Sequence, residues 1–348
     1  MMQFFITMMF GVGGIFLFVW LWMRDDINRV RQQRLKMLQF LKTQRPWEYM
    51  KVTRSSSKPS DEMHKNARSG KVDAVLRKID DTSAPFHVDR ENENGETCLM
   101  IACRRKNKQL VQGLVERKAN TDIVGRPGTS ALHICTTMGY VELVKYLIEN
   151  KADLNLMTKN AYDEDNKMIG PPILPLNALM VSIMHKNDAI TQLLLDSKAN
   201  ANIEGDSYKG EGCPKLQPIH CAVRVRRAET VQLLCRYGAN VGNTSIALEG
   251  YTPLGFSAYK GLLDITRTLL DNNADPNANA SKKRGGFRAG HCAVLGGHIE
   301  VLKLLLERGA DMELKDDAGL QPLDVALGRN MYSIAKLLDP SSVLCVEL

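Results

Sequence analysis

Residues 129–153 read TSALHICTTMGYVELVKYLIENKAD, and the order of residues in this stretch decides the fold. Leu132 is followed by Gly139 seven positions on, Leu147 fifteen on, and Ala152-Asp153 twenty and twenty-one on. The same offsets recur from Leu99, Leu179, Ile219, Leu254, Gly290 and Leu323. The fifteenth position is leucine every time: Leu114, Leu147, Leu194, Leu234, Leu269, Leu305 and Leu338. Positions twenty and twenty-one give Ala119-Asn120, Ala199-Asn200, Ala239-Asn240, Ala274-Asp275 and Ala310-Asp311 in the other complete copies. The anchors stand 33, 47, 40, 35, 36 and 33 residues apart, so the unit is 33 residues with insertions in the middle copies. Fixed offsets at a period of this size mark a stacked repeat, in which each unit buries its apolar face against its neighbours.

Each unit reads as a short helix, a turn at the seventh offset, a second helix and a polar loop. Small residues stand three after the anchor (Ala102, Cys135, Ser182, Ala222, Ser257, Ala293, Ala326), where they let neighbouring helices approach. The turn needs a left-handed backbone, which favours glycine or asparagine. Lys106, Lys186 and Arg226 depart from that preference, so their units are expected to carry strain or an altered turn.

The openings Ser130-Ala131-Leu132-His133-Ile134-Cys135, Pro218-Ile219-His220-Cys221-Ala222 and Thr252-Pro253-Leu254 resemble the T-P-L-H-x-A signature of the ankyrin repeat. A degenerate copy, Asp61-Glu62-Met63-His64 with Gly70, looks like an amino-terminal cap, with Lys78 in place of the leucine as suits a unit facing water. The resemblance covers residues 61 to about 340 and implies an all-α solenoid of about eight units, with hairpin-like loops between them. It also implies that His133, His220 and His291, one after the anchor, bond their own loops.

Lys and Arg number 46 and Asp and Glu 39, a net charge of +7. Residues 24–68 hold 12 basic and 5 acidic residues, so the whole excess lies there and the repeats are neutral. That distribution points to a local electrostatic task in the linker and away from a nucleic-acid-binding solenoid. Of the eight cysteines, Cys103, Cys135, Cys221 and Cys292 fall on first helices and Cys235 on a second helix. They read as small apolar fillers in a reducing compartment rather than a disulfide framework. His220-Cys221 and His291-Cys292 lack tetrahedral metal-ligand spacing, and no metal is expected.

Residues 1–23, MMQFFITMMFGVGGIFLFVWLWM, carry no charge, and Phe4 to Met23 matches the thickness of a bilayer as a helix. No basic residue precedes the run and no small-x-small site follows it, so a membrane anchor is favoured over a cleaved signal peptide. Trp20 and Trp22 suit the membrane interface. An apolar helix packed on the solenoid is the competing reading. Arg24, Arg29, Arg31, Arg34 and Lys36 follow at once and place the repeats in the cytosol, with the amino terminus outside or lumenal. Residues 24–60 read as a basic helix, in contact with anionic headgroups or solvated, followed by a hinge.

No phosphate loop, nucleophile elbow or unexplained carboxylate pair is present, so neither an enzyme nor a cofactor is expected. The function left is protein binding through loop tips and the concave face, without nucleic acid or a small-molecule substrate. The insertion at residues 158–175 offers Tyr162, Asp163, Glu164 and Asp165, and a later loop offers Lys282, Lys283, Arg284 and Arg288. A second insertion spans residues 204–217. The sequence thus describes a membrane-tethered adaptor, or alternatively a regulatory subunit of a membrane enzyme or channel.

Overall fold

The structure is a computed structural model that describes residues 59–81, 87–125, 128–159, 175–204, 216–245, 248–280 and 285–340. These residues form sixteen helices, two to each of eight units. The first helices are α1 Pro59–Arg68, α3 Cys98–Arg104, α5 Ala131–Thr137, α7 Ala178–Met184, α9 Pro218–Arg224, α11 Pro253–Tyr259, α13 Ala289–Gly296 and α15 Pro322–Gly328. The second helices are α2 Val72–Asp80, α4 Lys108–Glu116, α6 Val141–Glu149, α8 Asp188–Asp196, α10 Ala228–Arg236, α12 Leu263–Asp271, α14 Ile299–Glu307 and α16 Tyr332–Leu338. From the unit of Leu99 onward, first helices stack on first helices, and second helices form the other layer. No strand is present among the described residues. The hairpin-like loops are closed by isolated backbone bonds, such as the Asn92 N–H to the Glu96 carbonyl at 3.0 Å and the Asp316 N–H to the Leu320 carbonyl at 2.9 Å, together with side-chain bonds.

The periodic residues build the core. Leu114, Leu147, Leu194, Leu234, Leu269 and Leu305 have no exposed surface, whereas Leu338 in the last unit is only partly buried. A leucine buried this fully contributes about 1.5–3 kcal/mol from area alone. The small residues three after the anchors are equally sealed. Two of them are serines, and their polarity is satisfied locally. Ser182 Oγ donates to the Leu179 carbonyl at 2.8 Å and lies 2.9 Å from Thr191 Oγ1; Ser257 repeats this with Leu254 and Thr266 at 2.9 and 3.0 Å. The cap unit follows the same scheme: Met63 is fully buried and Lys78 is half-buried.

All seven turn positions adopt the left-handed conformation, Lys106, Lys186 and Arg226 included, with φ of 56, 56 and 61°. Those units therefore keep the common turn and carry its strain. A second left-handed column closes the second helices at Lys118, Lys151, Lys198, Gly238, Asn273 and Gly309.

Candidate protein-binding surfaces

The buried first-helix histidines are committed to stacking. His133 Nδ1 accepts from the Ser130 N–H at 3.3 Å, which leaves the ring proton on Nε2, and Nε2 donates to the Leu176 carbonyl at 3.0 Å. His220 does the same with the Gln217 N–H and the Asn243 carbonyl, and His291 with the Arg288 N–H and the Leu320 carbonyl. Each ring thus caps its own first helix and holds the loop that leads from its unit to the next. Burial holds the pKa of all three below the ordinary histidine value, that of His220 at about 4, against the partial opposition of the carbonyl bonds.

The histidines alternate with another device. In the units of Leu99, Leu179 and Leu254 the first helix is capped by Thr97, Asn177 and Thr252, whose side chains accept from the N–H of Met100, Met180 and Gly255. His64 occupies the histidine position of the first unit and bonds the Arg90 carbonyl at 2.9 Å. Units one, three, five and seven therefore reach forward with a buried histidine, and units two, four and six do not.

Burial also governs the thiols. Cys98, Cys103, Cys135, Cys221 and Cys292 are buried and unbridged, and burial pushes Cys98 and Cys221 up to about 12 and half-buried Cys235 to about 11. A thiol so poorly ionised is a filler and not a nucleophile. Among the described residues no three His, Cys, Asp or Glu side chains gather as metal ligands would.

What faces outward begins with the loop edge. The acid or amide at the twenty-first offset accepts from the N–H two residues later: Asn120 from Asp122, Asp153 from Asn155, Asn200 from Asn202, Asn240 from Gly242, Asp275 from Asn277 and Asp311 from Glu313, all at 2.8–2.9 Å. The twenty-third residue then passes the bond to the next unit. Asp122 accepts from the Asp153 N–H, Asn155 from Asn200, Asn202 from Asn240 and Asn277 from Asp311, at 2.7–3.0 Å. Asp89 starts the run by accepting from Asn120. Gly242 interrupts it, because it has no side chain to pass the bond to Asp275. This column at the twenty-third offset is absent from the sequence reading. Its alternation among Asp, Asn and Gly hides it from any search for one preferred residue.

The inserted loops leave this edge from closed bases. At residues 158–175 the Thr158 N–H donates to the Leu176 carbonyl and the Leu176 N–H to Thr158 Oγ1, both at 2.9 Å. The Ala280 N–H donates to the Phe287 carbonyl at 2.9 Å, closing the basic loop in the same way. Tyr162, Asp163, Glu164, Asp165, Lys282, Lys283 and Arg284 lie outside the described residues. Arg288 lies within them, half-buried, and its Nη1 donates to the Lys315 carbonyl on the next loop. Arg24, Arg29, Arg31, Arg34 and Lys36 also lie outside the described residues, as do residues 1–23. No helix among the described residues is long and apolar enough to cross a membrane.

On the other layer, a groove of about 570 Å³ runs over α8, α10 and α12, lined by Asp188, Gln192, Glu229, Leu233, Arg236 and Thr268. It is shallow and mixed in polarity, without a convergent set of reactive groups.

Models of ankyrin repeats match residues 63–158 and 179–280, and a second ankyrin-repeat model matches 258–306 and 291–338. The chain belongs to the ankyrin-repeat family. Curated ankyrin-repeat relatives include a protein of Acanthamoeba polyphaga mimivirus, 25% identical over 68% of this chain and 29% of its own length. B-cell lymphoma 3 protein of Homo sapiens is 26% identical over 71% of this chain and 51% of its own length. A glycerophosphocholine phosphodiesterase of Candida albicans is 26% identical over 72% of this chain but only 20% of its own. This ankyrin-repeat chain thus spans about half or less of these relatives. The crystal structure of the ankyrin repeat domain of Bcl-3 superimposes with a TM-score of 0.54 at 25% identity, covering 67% of this chain and 95% of that one.

Proposed function

We propose that the chain is a membrane-tethered ankyrin-repeat module that faces the cytosol and binds protein partners. The observation that carries this reading is the commitment of the interior: the first-helix histidines and buried cysteines serve the stack, which leaves function to the surface. Protein recognition through an extended surface is what such a solenoid supplies. The apolar run at residues 1–23 and the basic flank beginning at Arg24 support tethering and orientation.

Three measurements test the reading together. Deleting residues 1–23 should move the protein from the membrane fraction to the supernatant with its helical circular dichroism intact. Aggregation of the truncated chain would instead make the run part of the fold. The sequence holds two glycosylation triplets, Asn243-Thr244-Ser245 and Asn279-Ala280-Ser281, which a cytosolic location keeps unmodified, so endoglycosidase should leave the gel mobility unchanged; a mobility shift reverses the orientation. Neutralising Asp163, Glu164 and Asp165 should reduce capture of partners without changing the melting temperature. Full capture by a folded variant would move the binding face off that insertion.

A further inference from the structure

The edge opposite the loops has a composition unlike the rest of the stack. In each unit the fifth, sixth and seventh residues after the anchor end the first helix and form the left-handed turn. Across eight units these positions read RSG, RRK, TMG, MHK, RVR, YKG, LGG and GRN, with nine Lys or Arg and no Asp or Glu. The repeats are neutral only with this rim included, so its positive charge is balanced by an acidic excess elsewhere on the units. Arg105, Lys186, Arg224 and Arg226 have no acidic partner among the described residues, and Lys106 lies over the Tyr140 ring at 5.2 Å.

Helix dipoles alone do not explain the pattern. A cation is favourable at any helix carboxyl end, yet six second helices end on an acid: Asp80, Glu116, Glu149, Asp196, Asp271 and Glu307. Acids thus close most second helices, whereas none stands on the turn rim. The backbone argues the same way, because three of the rim cations occupy left-handed positions where glycine would be unstrained.

The third unit breaks the cationic rim with an apolar site. Met138 is 45% exposed there. Beside it a cavity of about 400 Å³ is lined by Lys106, Lys108, Gly139, Tyr140, Val141 and Leu143, with the one acid Glu142 among two lysines. Cations in the second unit and in the fourth and fifth therefore flank an apolar notch. Stacked helices lie about 8–10 Å apart, so the three steps from unit two to unit five span roughly 24–30 Å. An extended peptide of about eight or nine residues covers that distance.

We infer that this rim binds an extended acidic peptide segment of a partner protein, with carboxylates on the flanking cations and one apolar side chain in the notch between. The inference rests on the protein-binding reading above and names the chemistry of its partner. Binding of this kind weakens with salt, since exposed charges are screened within about 10 Å at 0.1 M.

The test uses the full chain in non-ionic detergent and a fluorescein-labelled nonapeptide, Asp-Glu-Asp-Leu-Phe-Leu-Asp-Glu-Asp, read by fluorescence anisotropy. Lys106→Gly, Lys186→Gly and Arg226→Gly are combined in one variant. Glycine removes each cation and relieves its backbone, so the melting temperature should hold or rise while affinity falls tenfold or more. A peptide with Asn and Gln in place of the acids should not bind. Equal binding by the folded triple variant, or by the neutral peptide, overturns the proposal. Tighter binding of a single-stranded oligonucleotide or of phosphatidylserine vesicles than of the peptide also overturns it, in favour of that polyanion. Proximity labelling from the repeats in cells separates this failure from a wider one. If wild type and triple variant mark the same proteins, only the rim assignment falls; if neither marks any protein specifically, the protein-binding reading falls with it.

Discussion

The junction between units three and four and the junction between units four and five are built differently. At the first, buried His133 crosses to the Leu176 carbonyl, and Asn155 holds the Asn200 N–H on the loop edge. At the second, the loop-edge bond from Asn202 to Asn240 remains, but no first-helix histidine crosses. The junction of units five and six is the converse: His220 reaches Asn243, and Gly242 leaves the loop edge open. A repeat of nearly constant period thus has interfaces of unequal strength. The first-helix histidines latch alternate loops, while His298 of unit seven reaches back to the Tyr259 carbonyl of unit six at 3.2 Å.

The leucine column is common to every interior junction, so it sets the largest effect. Leu234→Ala should destabilise the domain by about 2–5 kcal/mol in urea unfolding, because the fully buried site leaves a cavity. A loss well under this range would mean that unit five contributes little to the cooperative core.

Acid should weaken the latched junctions selectively. The pKa of His220 is depressed by burial, so the unfolded chain binds its proton more readily than the folded one. The stability it contributes is complete above about pH 6.5 and is lost as pH falls through about 4, on the order of 2–4 kcal/mol. His133 and His291 act in the same direction. Unfolding curves at pH 7, 6, 5 and 4 should therefore decline, and the decline should be shallower in His220→Gln. An identical slope in the variant would remove histidine as the cause.

The loop edge gives smaller changes of either sign. Asn202→Ala takes away the acceptor for the Asn240 N–H and the donor to the Gly238 carbonyl, and should cost about 1–2 kcal/mol. Gly242→Asn should restore the missing bond and stabilise by roughly 0.5–1 kcal/mol. Space is available there: a Cβ at residue 242 meets only Asn240 Oδ1, at 3.5 Å. Hydrogen exchange at the Asp275 amide would report the new bond directly, and unchanged exchange would contradict the ladder.

The offsets in residues 129–153 gave the helix pairs, the leucine column and the left-handed turns, because a buried position accepts few residue types and so repeats visibly. The junction chemistry was hidden for the opposite reason. Thr97, Asn177 and Thr252 perform at the helix start what Ser130 with His133 and Gln217 with His220 perform elsewhere, so no single letter marks the task. The cationic turn rim was equally invisible to a search for insertions, since it is exposed and assembled from residues 33 or more apart. Lys106, Lys186 and Arg226 were noticed as departures from glycine, but only the stacked turns place them along one edge.

The forward reach of the histidines also gives the stack a direction in time. A ribosome delivers unit three before unit four, and until residue 176 emerges the His133 ring has no carbonyl to receive its proton. The same wait applies to His64, His220 and His291. A chain interrupted before the loop that follows such a ring leaves its proton without an acceptor, and one interrupted after that loop does not.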